Sequence, residues 1–116
     1  AVRKVRRALD TTGFRFLHVL APCPTGWKSE PALGIELVRL AVRSGLYPIV
    51  EIVEGRKLVI NHEPDFSTEA LEMYLSLQRR FQRSGLTAER LGTAIAQSWR
   101  DLRARSGRIV PADREG

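Results

Sequence analysis

Pro22-Cys23-Pro24-Thr25-Gly26-Trp27 holds the single cysteine of the sequence, so any thiol, redox or metal chemistry must pass through Cys23. One thiol cannot close an internal disulfide. Nor can it build a metal centre by itself, because structural zinc and iron-sulfur sites usually take four protein ligands. The motif follows the apolar run Phe14 to Ala21, and prolines flank the cysteine on both sides, which fixes its backbone as a metal ligand requires. Gly26 permits close backbone approach, and Trp27 offers a flat apolar face to shield a bound group or meet a partner. The plainer reading is a small buried hydrophobe. His18, on the apolar run, and His62, in a loop, have no Cys or carboxylate at ligand spacing and read as ordinary residues, as do the surface acids Glu51, Glu54, Glu69 and Glu72. No phosphate-cradling glycine loop, Ser-His-Asp set or zinc motif is present, so no catalytic residue is assigned.

The elements that must carry this loop are legible in the spacing. Val2, Val5, Ala8 and Leu9 recur as on one helix face, ended by Gly13. Phe14-Arg15-Phe16-Leu17-His18-Val19-Leu20-Ala21 reads as a buried strand of a parallel or mixed sheet, stopped by Pro22 and Pro24. Ser29 is the expected cap of a helix through Leu33, Leu37, Leu40 and Ala41 to Gly45, with Ile35, Val38 and Val42 widening its buried stripe. Helix, strand, loop, helix is an α/β rhythm, and one strand cannot make a sheet alone. Pro48 to Val53 and Lys57 to Ile60 flank Glu54-Gly55-Arg56 as a β-hairpin. A polar loop, Asn61 to Phe66, leads to a helical hairpin joined at Ser84-Gly85. Its first helix uses Leu71, Tyr74, Leu75, Gln78 and Phe81; its second starts at Thr87 and buries Leu91, Ile95, Trp99 and Leu102. The expected division is 1–60 as the C-terminal portion of an α/β module, 61–105 as a helical extension, and 106–116 as a flexible tail.

The sequence has 116 residues with a formal net charge of +6, and its 43% hydrophobic content suits a folded domain. No apolar run approaches the roughly 20 residues of a membrane-spanning helix. With no secretion signal and one free thiol, a soluble protein of the reducing cytoplasm is expected. Without an initiating Met, the N-terminus reads as an interior start. The basic charge is nearly all Arg and is interleaved with acids, as at Glu36/Arg39 and Glu89/Arg90, which suits a solvated surface. The competing readings are a nucleic-acid-binding module using Arg79, Arg80, Arg83, Arg100, Arg103 and Arg105, or a non-catalytic interaction module.

Four ordered segments carry a family resemblance across most of the chain. They are His18-Val19-Leu20-Ala21-Pro22-Cys23-Pro24-Thr25-Gly26-Trp27, Ile35 to Val42, Gly45-Leu46-Tyr47-Pro48-Ile49-Val50-Glu51, and Tyr74-Leu75-Ser76-Leu77-Gln78-Arg79-Arg80-Phe81. Together they resemble the C-terminal part of the β subunit of 2-oxoacid:ferredoxin oxidoreductases, in particular the pyruvate type. The resemblance implies a fragment or split subunit of an enzyme that decarboxylates a 2-oxoacid, transfers the acyl group to coenzyme A and passes electrons through 4Fe-4S clusters to ferredoxin. It implies a partial thiamine-diphosphate-binding module, and Cys23 as one of four ligands to the proximal cluster. The other three cysteines and the motif that binds magnesium and thiamine diphosphate lie upstream in the family and are absent here. On this reading the chain supplies one ligand and subunit contacts, is inactive alone, and meets neither membrane nor nucleic acid.

Overall fold

The structure, a computed structural model, describes residues 2–109. Helix α1 (Val2–Asp10) is followed by an irregular segment, the short helix α2 (Pro24–Trp27), a 3-10 turn (Pro31–Leu33) and helix α3 (Gly34–Arg43). Strands β1 (Val50–Val53) and β2 (Lys57–Ile60) come next, then α4 (Thr68–Ser76), a second 3-10 turn (Arg79–Phe81), α5 (Ala88–Arg105) and β3 (Ser106–Ile109). The described residues are thus a mixture of helix and strand with one three-stranded sheet, ordered β1-β2-β3.

The β1-β2 hairpin forms as its turn residues dictate. Glu54 and Gly55 have φ of 53° and 66°, the pair of positive values that a primed hairpin turn demands, and the Arg56 N–H donates to Val53 O at 3.1 Å. β1 pairs antiparallel with β2 from Val50↔Ile60 to Val53↔Lys57. β2, central and buried at Leu58, Val59 and Ile60, pairs in parallel with β3. Leu58 lies opposite Ser106 and Val59 opposite Arg108, so the ladder skips Gly107 in a bulge.

Two apolar clusters share the interior. In one, Leu37, Leu40 and Ala41 of α3 pack on Ala70 and Tyr74 of α4, with Trp27, Leu46 and Phe81 around them. In the other, Ile60 of β2 meets Leu71 of α4 and Ile95 and Trp99 of α5. Trp99 joins the layers: its Nε1–H donates to Gly45 O at 2.7 Å, and its ring stands edge-on to Phe66. Helices α4 and α5 start where capping chemistry places them. Ser67 Oγ accepts from the Ala70 N–H at 3.1 Å, and Thr87 Oγ1 from the Arg90 N–H at 3.3 Å.

Helix α1 buries none of its residues and is fastened by charge. Lys4 and Arg7 pair with Glu51 of β1 at 3.2 and 3.0 Å, and Lys4 Nζ also donates to Val50 O and Asn61 Oδ1. Glu51, expected as an ordinary surface acid, is therefore a half-buried link between α1 and the hairpin.

Five other expectations are corrected. Phe14 to Ala21 is not a strand: it runs without a sheet partner, with Phe14 91% and Phe16 77% exposed. Strand composition supplies propensity only; without a neighbouring strand the backbone has no ladder to join. Ser29 does not cap α3, because Pro31 opens a 3-10 turn closed by the Gly34 N–H on Pro31 O, and the α-helix begins at Gly34. Ile35 falls off the buried stripe and is 66% exposed. The first helix of the expected helical hairpin stops at Ser76, with Phe81 on a separate 3-10 turn. Finally, the expected tail opens with β3, where β2 offers a free edge to Ser106–Ile109, while residues 110–116 lie outside the described residues.

Candidate functional site

The Cys23 loop is a compact turn. Cys23 is the N-cap of α2, extended at φ −113° and ψ 106°, and its Sγ accepts from the Gly26 N–H at 3.4 Å. The Trp27 N–H returns to Cys23 O at 2.8 Å, and the Ser29 N–H to Pro24 O at 3.1 Å. The turn ends at Lys28, whose φ of 52° is left-handed and costs a non-glycine residue about 1 kcal/mol. A Cβ on Gly26 would stand 3.6 Å from Sγ, in the space beside the sulfur that glycine leaves open.

Three elements hold this turn from behind. At its entrance Pro22 lies against Gly34, where an added Cβ would meet Pro22 Cγ at 3.1 Å, so glycine lets α3 begin close beneath the loop. Trp27 stands edge-on to Tyr74 of α4, with ring centres 6.2 Å apart. At its exit, Lys28 O accepts from both the backbone N–H and Nε–H of Arg79, at 3.2 and 3.4 Å. The Arg80 guanidinium lies over the Trp27 ring at 4.7 Å and over Phe81 at 4.6 Å.

The front of the turn is open. Cys23 is exposed and free, not the buried hydrophobe of the plainer reading. Among the described residues no three His, Cys, Asp or Glu side chains gather as a metal-holding group. The two histidines are exposed, and His18 contributes its carbonyl, which accepts from Tyr47 Oη at 3.1 Å. A cleft of about 400 Å³ lined by Ser44, Phe66, Leu71, Gly92 and Ile95 contains no residue of the Cys23 loop. Of the six arginines in the nucleic-acid reading, Arg79 and Arg80 hold the loop, while Arg103 pairs with Glu63 and lies over Phe66 and Trp99.

Sequence reasoning found the cysteine but missed the residues that fix it: Gly34, Tyr74, Arg79 and Arg80. The signal was present in Tyr74-Leu75-Ser76-Leu77-Gln78-Arg79-Arg80-Phe81, which periodicity renders as one helix. In the structure Gln78 breaks it, extended at φ −122°, with Nε2–H donating to Tyr74 O at 2.7 Å and so satisfying a carbonyl at the end of α4.

Comparison with known proteins gives this geometry its context. The ketoisovalerate oxidoreductase subunit VorB of Pyrococcus furiosus is 31% identical over 105 residues, covering 88% of this chain and 33% of its own length. The pyruvate synthase subunit PorB of Methanocaldococcus jannaschii is 40% identical over 81 residues, covering 70% of this chain and 26% of its own. This chain is homologous to the PorB and VorB subunits. Its homologues are thus subunits of oxidoreductases acting on 2-oxoacids, which are enzyme complexes, and the family resemblance read from the motifs is borne out. PorB of Methanothermobacter thermautotrophicus, at 38% identity over 81 residues, agrees. The chain spans a third or less of the length of these curated relatives. No family model and no solved structure matches it. Among the described residues no helix is long and apolar enough to cross a membrane.

Proposed function

We propose that the chain is the C-terminal portion of the β subunit of a 2-oxoacid:ferredoxin oxidoreductase, and that the Cys23 thiolate ligates one iron of a 4Fe-4S cluster. The overall reaction is balanced as 2-oxoacid anion, coenzyme A thiol and two oxidised ferredoxins giving acyl-coenzyme A, carbon dioxide, two reduced ferredoxins and a proton. A bound cluster would relay electrons one at a time from the substrate undergoing oxidation to ferredoxin. Thiamine diphosphate and magnesium belong on the remainder of the enzyme.

The observation that carries the reading is the stance of Cys23: exposed and uncrosslinked, yet on a turn held from three sides. That stance suits a ligand that completes a site whose other donors arrive from elsewhere. The local donor set fits one corner of a cluster. The Gly26 N–H points at Sγ, as backbone donors do when they moderate the charge of cluster sulfurs, and the absence of a Cβ on Gly26 leaves room beside the sulfur. One corner is all these residues supply.

The bare segment Phe14 to Ala21 has the same logic. Its exposed apolar side chains Phe14, Phe16 and Val19 would be covered by the remainder of the subunit. The β-hairpin and helical hairpin then serve as surfaces for neighbouring subunits, in a cytoplasmic complex. Relatives named for pyruvate and for ketoisovalerate match comparably, so the proposed substrate class is the 2-oxoacid. The test is Cys23→Ser in the natural protein that carries this chain: iron, acid-labile sulfide and ferredoxin-linked turnover should all fall. Unchanged iron content with unchanged turnover would remove Cys23 from the site.

A further inference from the structure

We propose that the 3-10 turn Arg79–Phe81 is a latch that positions the Cys23 loop, with Arg80 as its principal positioning residue. The proposal rests on the reading of Cys23 as a cluster ligand for its functional meaning, but the latch itself is a property of these residues. Helix α2 has four residues, too few to sustain itself, because the cost of nucleating a helical turn is recovered only over many more bonds. Its exit, Lys28, is moreover in a left-handed conformation. Something outside the turn must hold it.

The contacts identify what does. Arg79 engages Lys28 O with backbone and side chain together, across 51 positions of sequence. Arg80 lies over Trp27, the last residue of α2, and over Phe81 of its own turn. The turn is rooted in the core by Gln78, fully buried and tied to Tyr74 O, and Tyr74 is the residue against which Trp27 packs. Lys28 and Trp27 are thus gripped at one end of a turn whose other end is the Cys23 thiol. Loosening Arg80 would broaden the range of positions that Sγ samples without removing the thiol or any core side chain.

The test uses Arg80→Ala and Arg80→Lys, with Arg83→Ala as a charge-matched control at another exposed arginine, in the natural protein. Amide hydrogen exchange at Gly26, Trp27, Lys28 and Ser29 should accelerate roughly two- to fivefold in Arg80→Ala, the factor that a cation–π contact at an exposed site supports. Arg80→Lys should restore most of the protection, since an ammonium keeps the cation–π contact, and Arg83→Ala should exchange at the parent rate. In the reduced protein, the paramagnetic resonance lines of the cluster should broaden or shift in Arg80→Ala and return in Arg80→Lys. Unchanged exchange in Arg80→Ala, or equal acceleration in Arg83→Ala, would overturn the latch. Accelerated exchange in a protein whose cluster survives Cys23→Ser would keep the latch and refute the ligand reading, so the two failures are distinguishable.

Discussion

Replacing Gly45 with alanine should damage the fold far more than the same change in the hairpin turn. Gly45 has φ of 79°, a conformation that costs an L-residue about 1 kcal/mol. Its missing Cβ also matters, since an added one would stand 2.9 Å from Phe66 Cε1 and 3.0 Å from Trp99 Nε1. Both neighbours are aromatic rings packed edge-on to each other, and Trp99 is fixed through its bond to Gly45 O. Relieving the overlap means moving a core ring, at about 1–3 kcal/mol, and weakening a buried hydrogen bond, at about 1 kcal/mol. The total is about 3–5 kcal/mol, a large share of the roughly 5–15 kcal/mol typical of a folded domain. Gly55→Ala is the comparison: φ is 66°, but nothing lies within 4 Å of the added Cβ, so only the backbone cost of about 1 kcal/mol applies. In urea denaturation followed by circular dichroism, the Gly45→Ala midpoint should drop roughly three to five times as far as the Gly55→Ala midpoint, whose own drop is about 0.3–1 M. Equal losses in the two variants would refute the claim that Trp99 and Phe66 close over Gly45.

Glu51→Gln removes the carboxylate that Lys4 and Arg7 share, and should loosen α1, still tied by Lys4 to Val50 O and Asn61 Oδ1, at a cost of about 1 kcal/mol. Hydrogen exchange should quicken across α1 and not across β2, with the difference shrinking in high salt; uniform quickening would contradict this account of how α1 is held. Glu69 offers a pH test. Its own backbone N–H first, and then the Ser67 hydroxyl, favour the ionised carboxylate and lower its pKa. A lowered folded-state pKa gives stability that is present above the unfolded value and is lost as pH falls through the folded one. Glu69→Gln should therefore flatten the fall of the thermal midpoint across the acidic carboxylate range, and an unchanged slope would count against that bond.

The parts of the fold that were legible in the sequence depend on near neighbours. Gly55 between two apolar runs marked the hairpin turn, Thr87 announced α5, and the spacing of Leu37, Leu40 and Ala41 marked the inner face of α3. The misread parts depend on distant ones. Phe14 to Ala21 has strand composition, but pairing requires a partner that these residues do not meet within the described structure. Ser106–Ile109 reads as a polar tail and is nonetheless a strand, because β2 presents an edge to it. The break at Gln78 is a side chain turning back on the helix it ends, invisible to helical periodicity. The candidate site divides the same way. Two prolines around Cys23 foretold a stiff turn, whereas its attachment to Arg79 and Arg80 joins segments remote in sequence, and no local pattern encodes such a contact.

The central claim is that Cys23, which is exposed and has no cluster of donors around it among the described residues, is a ligand completed by donors beyond them. Electron paramagnetic resonance of the reduced natural protein beside its Cys23→Ser variant tests this most directly. The account predicts that one 4Fe-4S signal is lost or altered in the variant, as expected when a thiolate ligand is replaced by an alkoxide or lost altogether. Identical spectra with identical spin counts would contradict it.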